Sequence, residues 1–578
     1  MLKPKTEHRR LLLFLLGATL GAAAFLLVYG VAPLDVRNDA FCRGGFLEKD
    51  IQQHYAGWLF YRQNALPFPF CITPSINAPQ GLSVAYTDSI PLAAALCRPL
   101  ANLLGGTFQY FGWFTLFCFA LQGGFGALLC GLFAPSLAAA APGSLLFITS
   151  PILYERALRH TSLGAQWLVL AALYLYFVCR KQGRYASRGL FFLNILAVGI
   201  HPYFVPMTYA VTLALLLEYA VTARRWRGPA LYLAGDLACT GGLAAALGFF
   251  HGTATSGGQA LYGYFSMNLN ALWNPAGVNG TLYSRFLPAQ NQVNGNYDAF
   301  AYLGLGALIA LPIVLFLARR RLLAHLRRHW ALFGVCVILT VFAVSHVVTA
   351  NGVTLFALPL PDAWIKLFSV FRSGGRMFWP VYDLLMLAAF AGLCRLPRPL
   401  LCVSMLAAVQ VLDALQSDFW QAAGQYSRLE SVQGLQADAL HLALYAADHG
   451  MTTNDPFAAR YDAAALEADR QTVLEELAAG SLRQDTLYLF AEEGAFLQAV
   501  EPVRSQAWCG RVTSEDGASN WYVIAPGLQG ETFDGLCTVY DENYPLRLAD
   551  YTDALWNRGV LDSTKQTVCF ADSPFARR

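Results

Sequence analysis

Long apolar runs, separated by short basic stretches or long polar ones, make up most of this chain. The first extends from Leu11 to about Ala32, directly after Lys3, Lys5, Arg9 and Arg10. Further runs fall at about 108–133, 136–153, 164–180, 189–200, 203–222, 229–250, 301–318, 331–349, 377–394 and 399–416. A helix needs roughly 20 predominantly apolar residues to cross a bilayer. The pattern therefore predicts a mainly α, polytopic transmembrane bundle of about eleven spans, read over residues 1–416. The first run is longer than the core of a signal peptide and lacks a small-residue cleavage site, so it is expected to remain as a first span.

After residue 416 the pattern changes, and 417–578 reads as a small mixed α/β domain. Helical periodicity marks Leu429–Asp448 and about Leu466–Ala479, and short apolar strands are expected at Thr486–Phe490 and Trp521–Ala525.

Composition and charge sharpen this picture. The chain is 56% hydrophobic and 13% charged over 578 residues, too apolar for a soluble enzyme. Residues 417–578 hold 24 of its 37 acids but 11 of its 40 bases, leaving 13 acids against 29 bases in the first 416. The clusters Arg180/Lys181/Arg184/Arg188, Arg224/Arg225/Arg227, Arg319–Arg321 with Arg327/Arg328, and Arg395/Arg398 all fall between spans on the side of the N-terminus. The positive-inside rule makes that side cytoplasmic. Loops 34–107, 251–300 and 350–376 and the C-terminal domain are then extracytoplasmic.

The outward loops hold the candidate chemistry. Asp50, Gln53, His54 and Gly57 share one face if their segment is helical, because positions three and four apart are neighbours. The segment reads as an amphipathic helix at the membrane interface. Asp88, in Tyr86-Thr-Asp-Ser-Ile-Pro91, is a second carboxylate, with a helix N-cap as its competing role. His160, His201, Tyr203 and Asn268 bring polar groups to the same face. Arg372 and Arg376 flank a Gly-Gly step on the outer side, against the charge bias, and suit a phosphate clamp. Asp236 lies inside an apolar run and is expected to meet Arg224–Arg227.

Taken together, Asp50-x-Gln-Gln-His-Tyr-x-Gly-Trp-x-Phe-Tyr-Arg62, Tyr86–Pro91, Arg159-His160 with Gln166-Trp167, His201-Pro-Tyr203, Ser266-x-Asn268, Phe300–Gly304 and Phe371-Arg-Ser-Gly-Gly-Arg-Met-Phe-Trp-Pro380 resemble an uncharacterised family of bacterial polytopic proteins. That family is similar to the GT-C class of membrane glycosyltransferases. The resemblance covers nearly the whole chain. It implies a catalytic carboxylate soon after the first span, matched by Asp50, with Asp88 as a second acid of the site. It also implies a polyprenyl-phosphate-linked sugar donor and transfer with inversion to a cell-envelope glycan or lipid at the outer face of the bacterial cytoplasmic membrane. Gln166 stands where the resemblance leads one to expect His, and Asp298 where it leads one to expect Glu.

No glycine-rich loop stands between a strand and a helix, which argues against a nucleotide-sugar donor, and nothing points to nucleic acid. A divalent metal is open through Asp50 and Asp88, although no close ligand cluster is legible. The rival reading is a lipid or polysaccharide transporter or flippase, or a non-catalytic scaffold for envelope assembly. Transporters often carry internal repeats, and none is visible here.

Overall fold

A computed structural model describes residues 4–43, 50–63, 68–73, 81–104, 108–251, 261–293, 295–417 and 420. Beyond these it describes 471–472, 474–483, 486–490, 492–513, 519–524 and 567–570. The chain divides into two compact units. The first comprises Met1–Gly57, Leu66–Ile72 and Ser83–Glu430, and the second Trp58–Ala65, Thr73–Leu82 and Ser431–Arg578.

The first unit is helical. It opens with α1 (Pro4–Tyr29), α2 (Asp50–Gln63, whose last turns fall in the second unit) and α3 (Pro91–Leu104). Apolar helices follow as α4 (Phe111–Gly131), α5 (Leu137–Ile148), α6 (Pro151–Arg156), α7 (Trp167–Gln182), α8 (Arg188–Ile200), α9 (Phe204–Ala223) and α10 (Arg227–Ala246). After a long loop come α11 (Leu305–Arg328), α12 (Trp330–Val344), α13 (Asp362–Phe368), α14 (Trp379–Leu393) and α15 (Pro399–Leu415).

Each of the eleven apolar runs holds a helix, but among the described residues five stretches are long and apolar enough to cross a membrane: Glu7–Tyr29, Phe111–Gly131, Thr161–Gln182, Phe204–Ala223 and Gly374–Leu393. Proline and polar breaks account for much of the difference. Ser150-Pro151 splits the run after residue 136, and α8 stops at His201-Pro202. Helix α10 has the length but carries Asp236 and four glycines.

Backbone approach decides how α1 packs on α4. A β-carbon on Gly17 would lie 2.2 Å from the Gly123 carbonyl oxygen, and one on Gly21 would lie 2.0 Å from that of Phe119. Gly17 and Gly21 are four apart and so share a face, an arrangement of small residues that lets apolar helices meet along their backbones. Gly21→Leu should therefore force the helices apart at a cost of at least about 1–3 kcal/mol. A lower yield of monodisperse protein and a lower melting temperature in detergent are the expected readouts; unchanged values would refute this account of the packing.

Asp236 does not meet the arginines at the start of α10. Nine residues of helix put it about 13 Å along the axis from Arg227. It accepts instead from Asn194 Nδ2 on α8 at 2.6 Å, and Asn194 also reaches Thr212 on α9 at 3.1 Å.

Strands are short in the first part of the chain: β1 (Ile72–Thr73) with β2 (Leu82–Ser83), and β3 (Val347–Ala350) with β4 (Val353–Ala357). The second unit holds a sheet of β5 (Thr486–Phe490), β6 (Trp508–Thr513), β7 (Ser519–Ile524) and β8 (Thr567–Phe570), in the order β6-β7-β5-β8. Strand β5 is antiparallel to β7 and parallel to β8. Helix α16 (Glu493–Val500) contributes Phe496 and Val500 to a core with Tyr488, Phe490 and Val523. Both expected strands are present. Of the expected helices, Leu429–Asp448 lies outside the described residues, whereas Gln471, Thr472 and Leu474–Ala478 of the second are helical.

Candidate functional site

The connectivity sends several polar segments to one end of the bundle. Helix α8 ends at Ile200, α9 starts at Phe204, α7 starts at Trp167 and α14 starts at Trp379. The residues flanking those ends therefore converge.

Helix α2 supplies Asp50 in its first turn and His54 one turn later. It is not an interfacial amphipathic helix, because every residue from His54 to Arg62 is buried. The reason is a close crossing at Gly57, where a β-carbon would stand 2.0 Å from Thr87 Oγ1 and 2.7 Å from Ser89 Oγ. Ser89 Oγ also donates to the His54 carbonyl at 2.6 Å, locking the turn onto the helix. Gly57→Ala should push this turn away at a cost of about 1–3 kcal/mol. Its melting temperature in detergent should fall, and a wild-type value would show that the crossing tolerates a methyl group.

The turn presents Asp88. It follows a 3-10 turn over Val84–Thr87 whose N-cap is Ser83, and it adopts φ 56° and ψ 22°; Ile90 has φ 55°. Asp tolerates this left-handed region, but a β-branched isoleucine there is strained. Strain of this kind often accompanies a functional side chain. The Asp88 carboxylate meets two histidines, not the backbone of the following helix. Its Oδ2 lies 3.2 Å from His160 Nε2, and its Oδ1 lies 3.1 Å from His201 Nε2.

His160 precedes α7 and also reaches Asp50, with Nδ1 3.3 Å from Oδ2. His54 stacks edge-on against it at 4.9 Å between ring centroids. The result is a chain of Asp50, His160, Asp88 and His201 with His54 at its side. Among the described residues, one ligand atom each from His54, Asp88 and His160 lie within 4.8 Å of one another.

The electrostatics follow from this crowding. Burial raises the Asp50 carboxyl, but the hydrogen bond and charge of His160, helped by His54 and Arg156, outweigh it and hold the pKa at about 2. Asp88 also feels burial first, yet the charge of His201 and its bonds to His160 and His201 keep it well below the usual carboxylate range. Burial, reinforced by the charge of His160, holds His54 down at about 3, so it is neutral at physiological pH. His160 is raised, because its bonds to Asp50 and Asp88 outweigh its burial. His201 is lowered by burial, with His160 and Arg376 adding to the effect despite Asp88.

A second network adjoins the first. Asp298 Oδ1 accepts from Arg156 at 3.0 Å and from Arg376 at 2.7 Å, with all three side chains buried. Burial raises Asp298, but the two guanidiniums overwhelm this and drive it far below the usual range. The Arg376 guanidinium lies 4.9 Å from the Tyr203 ring centroid, and Tyr203 OH accepts the Ser373 N–H at 2.8 Å.

Of the residues singled out in the sequence, Asp50, His54, Asp88, His160 and His201 thus meet directly, and Tyr203 joins them to the second network. Gln53 is half-buried on α2. Asn268 bonds the Asn291 carbonyl at 3.4 Å. Arg372 and Arg376 do not act as equals: Arg372 is exposed, 5.8 Å from the Phe265 ring centroid, whereas Arg376 is buried and bound to Asp298. Of the two, Arg372 is the one with its surface open to solvent. Sequence reasoning singled out Asp298 but missed that it pairs with both Arg156 and Arg376. The signal available was the scarcity of charge, since a carboxylate among so few must have a cationic partner if it is buried.

A helical chain whose longest apolar helices can cross a membrane, with five histidine and aspartate side chains drawn together where its helices begin and end, defines a membrane-type protein with a built polar centre. The chain belongs to the DUF6311 family, whose model, a domain of unknown function, matches residues 18–415; the DUF6311 C-terminal domain matches residues 419–526. No curated protein and no solved structure matches it.

Proposed function

We propose that this protein is a glycosyltransferase of the bacterial cytoplasmic membrane. It takes a sugar from a polyprenyl-phosphate donor and passes it, with inversion, to a cell-envelope glycan or lipid. The observation that carries this reading is the setting of Asp50. Its side chain is 49% exposed at the head of α2, while the groups that orient it are buried behind it. With the Asp50–His160 contact fixing one oxygen, the other can accept an acceptor hydroxyl.

In the reaction the acceptor oxygen attacks the anomeric carbon as the bond from that carbon to the donor phosphate breaks on the opposite face. The hydroxyl proton passes to Asp50, and polyprenyl phosphate leaves with the bonding electrons. A carboxylate held at about pKa 2 is a weak base, but it is always ionised. It suffices because the hydroxyl acidifies as its oxygen acquires positive charge from the forming bond. Exposed Arg372 meets the departing phosphate. Arg376 and Arg156, neutralised in part by Asp298, lend a positive field behind Asp50 and Asp88. In this reading the eleven apolar helices cross the membrane with the N-terminus inside. The site and the C-terminal domain face outward.

The test is transfer of labelled sugar by the purified chain in lipid vesicles, from a panel of polyprenyl-phosphate sugars to an envelope extract. Label in the extract with loss of the donor supports the proposal. Folded protein that consumes no donor in the panel overturns it.

A further inference from the structure

We infer that His54, Asp88 and His160 form a binding site for a divalent transition metal of the zinc class. The three side chains come from α2, the strained turn before α3 and the segment before α7, and one ligand atom from each lies within 4.8 Å of the others. Atoms bound tetrahedrally to one zinc ion at about 2.0–2.1 Å stand about 3.4 Å apart, so closing the widest separation by at most about 1.4 Å completes the site.

Hydrogen-bond directions aim the free electron pairs inward. The Tyr203 backbone N–H donates to His201 Nδ1 at 3.1 Å, so His201 carries its proton on Nε2 and gives it to Asp88 Oδ1. Asp88 then keeps Oδ2 for the centre. Asp50 stands 3.3 Å from His160 Nδ1, and a proton held there leaves His160 Nε2 as an acceptor facing Asp88 Oδ2 at 3.2 Å. Two acceptors that close need a cation or a proton between them. His54 Nδ1, on a residue 1% exposed, has no hydrogen-bond partner. One ion at the centre satisfies Asp88 Oδ2 and His160 Nε2, with a ring nitrogen of His54 as the third ligand atom.

The donor set selects the metal. Two imidazoles and one carboxylate suit zinc and its neighbours, whereas magnesium and calcium take oxygen ligands. Three protein ligands leave a coordination position open. Asp50 would then hold a metal-bound histidine through its other ring nitrogen, the arrangement that fixes tautomer and ring orientation in such sites. Asp50 is a positioning residue for the ion, whatever it does to an acceptor. The inference does not depend on the sugar-transfer reading, since metal binding is measured without turnover.

The full chain, purified in detergent, stripped with chelator and equilibrated with zinc, should retain one zinc per chain by elemental analysis. Cobalt in its place should give the visible absorption of a nitrogen- and oxygen-ligated site. His54→Ala and Asp88→Asn should lose both signals, and Asp50→Asn should bind about 10–100-fold more weakly. His346→Ala, a histidine outside the centre, should bind as wild type. Added zinc should raise the melting temperature of wild type and His346→Ala but not of His54→Ala. Stripped wild type that takes up no stoichiometric zinc and shows no thermal shift overturns the site, and so does His54→Ala with wild-type affinity. Such a result would leave His160 as an imidazolium bridging Asp50 and Asp88. If His54→Ala does not fold, His54→Gln and the cobalt spectrum of wild type decide in its place.

Discussion

Asp50→Asn should lower the proposed sugar transfer by about 10²–10⁴-fold, the usual cost of losing general-base assistance. Asparagine has nearly the same shape and can still bond His160 through its amide. The carboxylate sits in the first turn of α2, where its interaction with the helix dipole is worth about 0.3–1 kcal/mol. Folding should therefore survive, and melting temperature with membrane yield checks that it does. Donor affinity should change far less than turnover, because Arg372 remains. Measuring kcat and donor binding separately makes the distinction. Wild-type turnover by the asparagine variant would remove Asp50 as the base. A loss of donor binding equal to the loss of turnover would make Asp50 a binding group.

Asp298→Ala should be the most destabilising single change at the centre, by about 3–5 kcal/mol. Asp298 Oδ1 is shared by Arg156 and Arg376, and both arginines are buried. Removing the carboxylate leaves two buried positive charges without the anion that bridges them, whereas Arg376→Ala leaves Asp298 still paired with Arg156 at 3.0 Å. The expected order of melting temperatures in detergent is wild type, then Arg376→Ala, then Asp298→Ala. If Asp298→Ala matches wild type, the network is not a structural keystone, and Arg376 returns as a cation available to phosphate.

Much of the candidate site could be read from spacing alone. Asp50, His54 and Gly57 had to share a helix face, because a 3.6-residue period allows nothing else once the segment is helical. Histidines and carboxylates were few in the loops that the charge pattern predicts to face outward, so His160, His201 and Asp88 stood out by scarcity. The reading of α2 as an interfacial helix failed because composition does not reveal that Gly57 admits the Asp88 turn to backbone distance.

By itself, the sequence determined that the protein is helical and apolar, where its hydrophobic runs lie, and which few polar residues were available for chemistry. Apolar patterning is local and follows directly from residue order. Tertiary structure alone decided which charges meet. Asp236 found Asn194 and not the arginines nearest in sequence, and Arg376 was taken up by Asp298 from a loop 78 residues away. Pairing between distant segments depends on how helices cross, and crossing depends on contacts such as Gly17 on Gly123 and Gly57 on Thr87. A buried charge takes whichever opposite charge the packing brings within reach, because leaving it alone in a poorly polarisable interior costs more than almost any other arrangement.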